Sequence, residues 1–210
     1  SIGSQPGDVL FNGNGTRLAG TRVNTSLVDS FVVGDDGQLS AASGSPYPAP
    51  VAGPFGSAFR PGHPNQLFVS LAHGGAGNGA IEAYDDARDG SLTPIGASPY
   101  ADLQTAPCWV DITPNGRYLF ALNTGSGSFS SFAIGEGGTL TLIGSTALRG
   151  GSALKSFDIR VSPDGRSVYV VDAGGASVSA FHNDDGILTE LAASPISLPA
   201  GATPFGIVAD

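Results

Sequence analysis

Six residues in this 210-residue chain have types and positions suited to acid–base and polar-binding chemistry: His73, Asp172, Asn123, Lys155, Arg22 and Trp109. Attack of water on a carbonyl needs a base tuned near neutral pH to activate it, and a cation or donor cluster to steady the oxyanion. His73, in the loop His73-Gly-Gly-Ala-Gly-Asn-Gly79, is placed as the base, and Asp172, ahead of Ala-Gly-Gly, as the group that orients it. Lys155 or Arg22 would steady the negative charge, and Asn123 and Trp109 would hold the substrate. Each also has a plainer reading. Asp172 suits an Asx turn, His73 a solvated loop, and Lys155 and Arg22 a charged surface.

The other reactive side chains carry less. His63 and His182 share no ligand spacing with His73, so no metal site is expected. The pairs Asp35-Asp36, Asp85-Asp86 and Asp184-Asp185 precede or adjoin glycine, where aspartate is turn chemistry rather than a calcium cage. Cys108, the single cysteine, rules out an intrachain disulfide and reads as a small buried apolar residue. Phe55, Trp109, Phe157 and Phe205 open successive units and are expected as an aromatic ring near a hub. No nucleophile elbow, phosphate loop or nucleotide fingerprint occurs, and no cofactor is expected. With 9 basic and 18 acidic residues the net charge is −9, which argues against nucleic acid and anionic membranes as partners. No apolar run reaches the ~18 residues of a membrane-spanning helix. Asn14-Gly-Thr16 and Asn24-Thr-Ser26 match the glycosylation pattern, which matters only in a secreted eukaryotic context.

The elements that must position these residues are repeats. From Pro107 to Leu142 the chain reads as three strands and the start of a fourth. Trp109 to Ile112 meets the turn Thr113-Pro-Asn-Gly116, then come Arg117 to Asn123, a small-residue loop, Phe129 to Ile134, the turn Gly135-Glu-Gly-Gly138 and Thr139 to Leu142. The turn glycine recurs as Gly15, Gly116 and Gly165, and the third-strand aromatic as Phe31, Tyr84, Phe132 and Phe181. Gly-x-Leu follows each aromatic, at Gly37, Gly90, Gly138 and Gly186, and the openings Pro6, Pro54, Pro107, Ser156 and Pro204 stay in step. A period of about 50 residues, each a four-stranded antiparallel sheet, is the signature of β-propeller blades.

The expected fold is therefore all-β: about four propeller blades, approximately 6–44, 54–98, 107–146 and 156–194, with 203–210 as the first strand of a further or ring-closing blade. The 210 residues make one partial propeller domain. The Pro-bearing stretches Ser45 to Pro50, Ser98 to Tyr100 and Ser194 to Pro199 are read as connectors from an outer strand back to the hub. An open array exposes blade faces and edges. A missing N-terminal part completing a larger, seven-bladed ring is the favoured closure, with a second chain or a small closed ring as the alternatives. The chain opens on Ser1 and contains no methionine, so Ser1 is not read as a translational start.

The units Thr113-Pro-Asn-Gly-Arg-Tyr-Leu-Phe-Ala-Leu-Asn-Thr-Gly-Ser126 and Val161-Ser-Pro-Asp-Gly-Arg-Ser-Val-Tyr-Val-Val-Asp172 resemble those of the lactonase-type seven-bladed propeller family. That family includes bacterial 6-phosphogluconolactonases and fungal carboxymuconate-lactonising enzymes. The resemblance covers essentially the whole chain, corresponds to the later blades, and looks nearest to a secreted bacterial branch. It implies a hydrolase of small cyclic esters or sugar lactones working at the central channel. Enzymatic members carry a Gly-Pro-Arg-His opening and a glutamate at the end of a second strand. Here the openings read Gly53-Pro-Phe-Gly56, Ala106-Pro-Cys-Trp109 and Leu154-Lys-Ser-Phe157, and no second strand ends in glutamate.

Two functions from different classes follow. One is a lactonase-like enzyme acting at the hub. The other is a non-catalytic secreted or periplasmic propeller that binds a small-molecule ligand, partner protein or cell-wall component there. The resemblance favours the first; the missing Arg-His-Glu pattern favours the second.

Overall fold

A computed structural model describes residues 2–209; the expected domain limits 1 and 210 fall on residues outside that range. The chain folds as four antiparallel sheets in sequence order. Blade 1 comprises β1 (Pro6–Phe11), β2 (Arg17–Arg22), β3 (Leu27–Val33), β4 (Leu39–Ala41) and β5 (Tyr47–Pro48). Blade 2 comprises β6 (Pro54–Arg60), β7 (His63–Leu71), β8 (Ala80–Asp86), β9 (Leu92–Pro94) and β10 (Tyr100–Ala101). Blade 3 has β11 (Pro107–Ile112), β12 (Tyr118–Asn123), β13 (Ser128–Ile134) and β14 (Leu140–Ala147). Blade 4 has β15 (Ser156–Val161), β16 (Ser167–Asp172), β17 (Ser177–Asp184), β18 (Ile187–Glu190) and β19 (Ile196–Ser197). Each sheet is a meander, as short loops between successive strands dictate. Among the described residues no helix is long and apolar enough to cross a membrane.

The repeat landmarks are conformational necessities. Gly116 sits at φ 68°, closing the first hairpin of blade 3, and Gly138 at φ 85°, closing the last. Asn115 Oδ1 accepts from Thr113 Oγ1 (2.7 Å) and Arg117 N (3.0 Å). Asp164 repeats the arrangement in blade 4 with Ser162 and Arg166. The acid or amide before these glycines is therefore turn chemistry.

The Pro-bearing stretches are not simple connectors. In blades 1, 2 and 4 the outer strand is split, and its second piece (β5, β10 or β19) returns to pair with the third strand. Each split holds a cis Ser-Pro bond, at Ser45, Ser98 and Ser194. The serine hydroxyl takes the third-strand N–H that the interrupted ladder leaves open: Ser30 N to Ser45 Oγ 3.0 Å, Ala83 N to Ser98 Oγ 2.8 Å, and Ala180 N to Ser194 Oγ 3.1 Å. Blade 3 lacks the dipeptide, and its β14 runs unbroken for eight residues.

Apolar layers separate the blades. Leu67, Val69, Leu71 and Tyr84 of blade 2 pack with Ala19 and Val28 of blade 1. Phe68, Ile81 and Ala83 meet Leu119, Ala121 and Phe132. Phe120, Leu122 and Phe129 meet Ile159, Val168 and Phe181, with Phe129 and Phe181 edge to face at 5.1 Å. Each fully buried phenylalanine is worth roughly 2–3 kcal/mol of burial. The first strand of each blade, β1, β6, β11 and β15, packs on the first strand of the next. These four strands form the inner wall. The stretch 204–209 is in no strand, but it lies along β15: Ile207 N donates to Asp158 Oδ2 (3.0 Å) and Phe205 stacks near Phe157 at 5.5 Å.

Candidate functional site

In blades 1, 3 and 4 the last residue of the second strand is polar and bonds across to the third strand of its own sheet. In blade 4 that residue is Asp172, fully buried. Its Oδ1 accepts from Ser156 Oγ (2.6 Å), and its Oδ2 from Ser179 Oγ (2.6 Å) and Ser177 Oγ (3.4 Å). Burial pushes its carboxyl above the usual range, and the three hydroxyls hold it back. In blade 3 the position is Asn123, also fully buried. With its amide oriented to satisfy both ends, Nδ2 donates to Asp102 Oδ2 (2.8 Å) and Oδ1 accepts from Ser130. In blade 1 it is Arg22, which forms a two-point ion pair with Asp29. That contact, a hydrogen bond first and a charge effect second, raises the guanidinium's already high pKa.

His73 follows the second strand of blade 2 and is exposed, its imidazole lying over Gly53, where an added Cβ would fall 2.4 Å from His73 Cγ. No hydrogen bond or ion pair among the described residues joins it to Asp172. Lys155 is exposed and left-handed (φ 45°), capping the short 3-10 turn Gly151–Leu154. The structure thus spreads five of the six expected residues over separate positions in four blades. Asn123 and Asp172 serve as polar fill inside their sheets, and Arg22 as a partly exposed ion-pair partner of Asp29.

The sixth, Trp109, lines a cleft of about 680 Å³ that runs along the inner wall from β1 to β15. Asp8, Ser57, Asp111 and Arg160 line it too. Trp109 is half-buried, meets Phe55 edge to face at 5.3 Å, and has its indole Nε1 enclosed without a hydrogen-bond partner. Packing alone therefore orients the ring. The expected four-membered aromatic ring is instead two pairs, Phe55–Trp109 and Phe157–Phe205.

The inner-wall carboxylates share one geometry. Asp8 accepts from Val9 N (2.8 Å) on its own strand and from Ser57 N and Oγ (both 3.0 Å) on the next blade. Asp111 accepts from Ile112 N and, across the blade boundary, from Val161 N, both at 2.8 Å. Asp158 accepts from Ile159 N (2.9 Å) and from Ile207 N in the following stretch. Asp158 adopts φ 42°, at the bulge where the β15–β16 register shifts, a conformation aspartate tolerates through such local bonding. Each carboxylate latches one blade to the next while keeping lone pairs free. Burial pushes the Asp111 carboxyl up, opposed by its two backbone donors and by the charge of Arg160. Arg160 spends Nη1 on Asp158 Oδ1 (3.0 Å) and the Ile159 carbonyl (2.5 Å). Its side chain is 43 % exposed. Among the described residues no group of three metal-ligating side chains converges.

Sequence reasoning missed Asp8, Asp111 and Arg160 as site residues. The available signal was a charged side chain recurring within otherwise apolar first strands, in Pro6-Gly-Asp8 and Ser156-Phe-Asp158.

A family model for seven-bladed β-propeller lactonases matches residues 63–204, more than half of the chain. The chain belongs to that family. No curated protein matches it. A solved structure from Lactobacillus plantarum superposes with TM-score 0.73 at 19% identity, over 91% of this chain and 57% of its own. The periplasmic gluconolactonase of Pseudomonas aeruginosa superposes with TM-score 0.72 at 21% identity, over 94% and 57%. Virginiamycin B lyase of Staphylococcus aureus superposes with TM-score 0.63 at 15% identity, over 97% and 59%. The chain thus spans little more than half the length of these structures. A lactonase and a lyase on one fold show that the blades alone do not set the chemistry. Gly53 to Gly56 is one of the three openings expected to match the family's Gly-Pro-Arg-His segment. A Cβ on Gly56 would sit 2.6 Å from the Cys108 carbonyl oxygen and 2.9 Å from Trp109 Cα, so that position accepts no side chain.

Proposed function

We propose that this lactonase-family chain binds a small cyclic ester of the sugar-lactone class in the inner-wall cleft and hydrolyses it there. The carrying observation is the pairing, in one cleft, of a half-buried carboxylate, Asp111, with a partly free guanidinium, Arg160. Asp111 takes a proton from a water molecule as the water oxygen bonds to the carbonyl carbon. When the tetrahedral intermediate collapses, the ring C–O bond breaks and the protonated Asp111 returns the proton to the leaving alkoxide oxygen. Arg160 donates to the oxyanion that forms, and Trp109 supports the ring face. Family membership supports the reaction class, and the cleft supports the place. Proton release from aldonolactones, followed at constant pH, tests it. Asp111→Asn is expected to lower kcat roughly 10²–10⁴-fold, with Arg160→Ala also impaired and His73→Ala unchanged. Equal rates for wild type and the Asp111→Asn, Arg160→Ala double variant would overturn the assignment.

A non-catalytic binding propeller is the second reading, supported by Gly56, where the family motif has no room for its histidine. It predicts ligand binding without turnover. Both readings include a closing partner for the open ends, where Val9, Phe11, Phe205 and Val208 are exposed. Three more blades, from a longer polypeptide or a second chain, would complete a ring of seven, and native mass distinguishes the two sources. A secreted or periplasmic location is proposed with it, tested by cell fractionation.

A further inference from the structure

The charges around the cleft bear on what it accepts. Three carboxylates, Asp8, Asp111 and Asp158, stand on the inner wall, each already satisfied by backbone N–H groups but still carrying full charge when ionised. Two guanidinium groups oppose them, and both are already engaged by the protein, Arg160 in part and Arg60 throughout. Arg160 is bound to Asp158. Arg60 is buried and turned into blade 3: its Nε donates to the Gly116 carbonyl (2.7 Å) and its Nη1 to Gln66 Oε1 and the Gly135 carbonyl (both 2.9 Å). No lysine lines the cleft. A phosphate needs a cluster of uncommitted cationic or N–H donors, whereas here the free polar atoms are mainly carboxylate lone pairs, which accept from hydroxyls. Beside them lies the Trp109 ring, a flat apolar surface suited to the C–H face of a sugar.

We propose that the cleft selects uncharged, polyhydroxylated lactones and discriminates against their phosphorylated or carboxylated counterparts. The proposal rests on the reading of the cleft as the ligand site, but not on turnover. The charges that line the cleft balance, Asp8 and Asp111 against Arg60 and Arg160, so a phosphate dianion gains no net attraction there. Giving up its hydration beside two carboxylates, with no uncommitted donor cluster to replace it, weakens its binding by about tenfold or more.

Trp109 is the only tryptophan in the chain, so its fluorescence reports this cleft alone. The purified chain is titrated with D-glucono-δ-lactam, a neutral lactone isostere that resists hydrolysis, and with the 6-phosphate of the same lactam. Calorimetry runs in parallel. Neutral lactam binding at least tenfold tighter, with the gap narrowing several-fold in Asp111→Asn and at raised salt, is the expected result. Phosphorylated lactam binding as tightly or more tightly overturns the proposal, as does a neutral lactam that gives neither a fluorescence change nor heat. Preferential binding of the neutral lactam without turnover of the matching lactone would sustain this inference while refuting hydrolysis, so the two readings fail separately.

Discussion

Glu82 offers a sharp test of how the blades are held together. It lies on β8, inside the layer between blades 1 and 2, and is 2 % exposed. One oxygen bonds the Ser98 hydroxyl, and Oε2 is buried without a partner. The corresponding third-strand position in blade 1 is Asp29, neutralised by Arg22. The position of that arginine is occupied in blade 2 by Leu71, so Glu82 has no cation. Burial therefore pushes its carboxyl from an ordinary 4.5 up to about 7, only partly offset by Ser98. The folded chain binds a proton that the unfolded chain has released between those two values. Stability consequently falls as pH rises from 4.5 toward 7 and levels off above. At about 1.4 kcal/mol per pKa unit the ionised carboxylate costs the fold about 3 kcal/mol at alkaline pH. Glu82→Gln removes the titration with little change in shape. Urea unfolding of both proteins at pH 5 and pH 8 should show the variant gaining about 2.5 kcal/mol relative to wild type between the two pH values. Groups common to both proteins cancel in that difference. A variant equally shifted at the two pH values would refute a charged, unpaired Glu82 in the core.

Two further substitutions separate structural from functional roles. Asp172→Ala strands three buried serine hydroxyls and should cost about 3–5 kcal/mol in urea unfolding, whereas His73→Ala, exposed beside Gly53, should stay within about 0.5 kcal/mol. Gly56→Ala forces a Cβ onto the backbone of β11, at 2.6 Å from the Cys108 carbonyl. It should destabilise the chain by about 3 kcal/mol, with a shift in Trp109 emission as blades 2 and 3 part.

The blade pattern was legible because its determinants are local. Gly116 and Gly138 are needed for positive φ, and the alternating apolar residues around Phe120 and Phe132 are needed for two packed faces. The split outer strands were not legible. Ser98-Pro99 reads as a loop unless one knows that Ser98 Oγ will replace a ladder acceptor for Ala83 across the sheet.

The dispersal of the expected site residues was illegible for a related reason. Asn123, Asp172 and Arg22 attract attention because they are polar and follow apolar strands, which is the pattern of a catalytic group at a strand end. The same pattern arises when a sheet must bury a polar contact between its second and third strands, and only the partner residues decide between the two. In these three blades a third-strand partner lies seven residues on, Asp29 for Arg22, Ser130 for Asn123 and Ser179 for Asp172. Those residues were visible in the sequence, so pairing them across the hairpin would have assigned these positions to the interior. The cleft required more. Asp8 reaches Ser57 and Asp111 reaches Val161 across about fifty residues, a relation set by ring geometry rather than strand period. In a propeller, a polar residue at the end of a second strand is first tested against its own third strand. A charged residue within a first strand is tested against the next blade. By that criterion Asp111 and Arg160 stand beside the inner-wall cleft, whereas Asp172 is enclosed in its own sheet and His73 lies on an exposed loop.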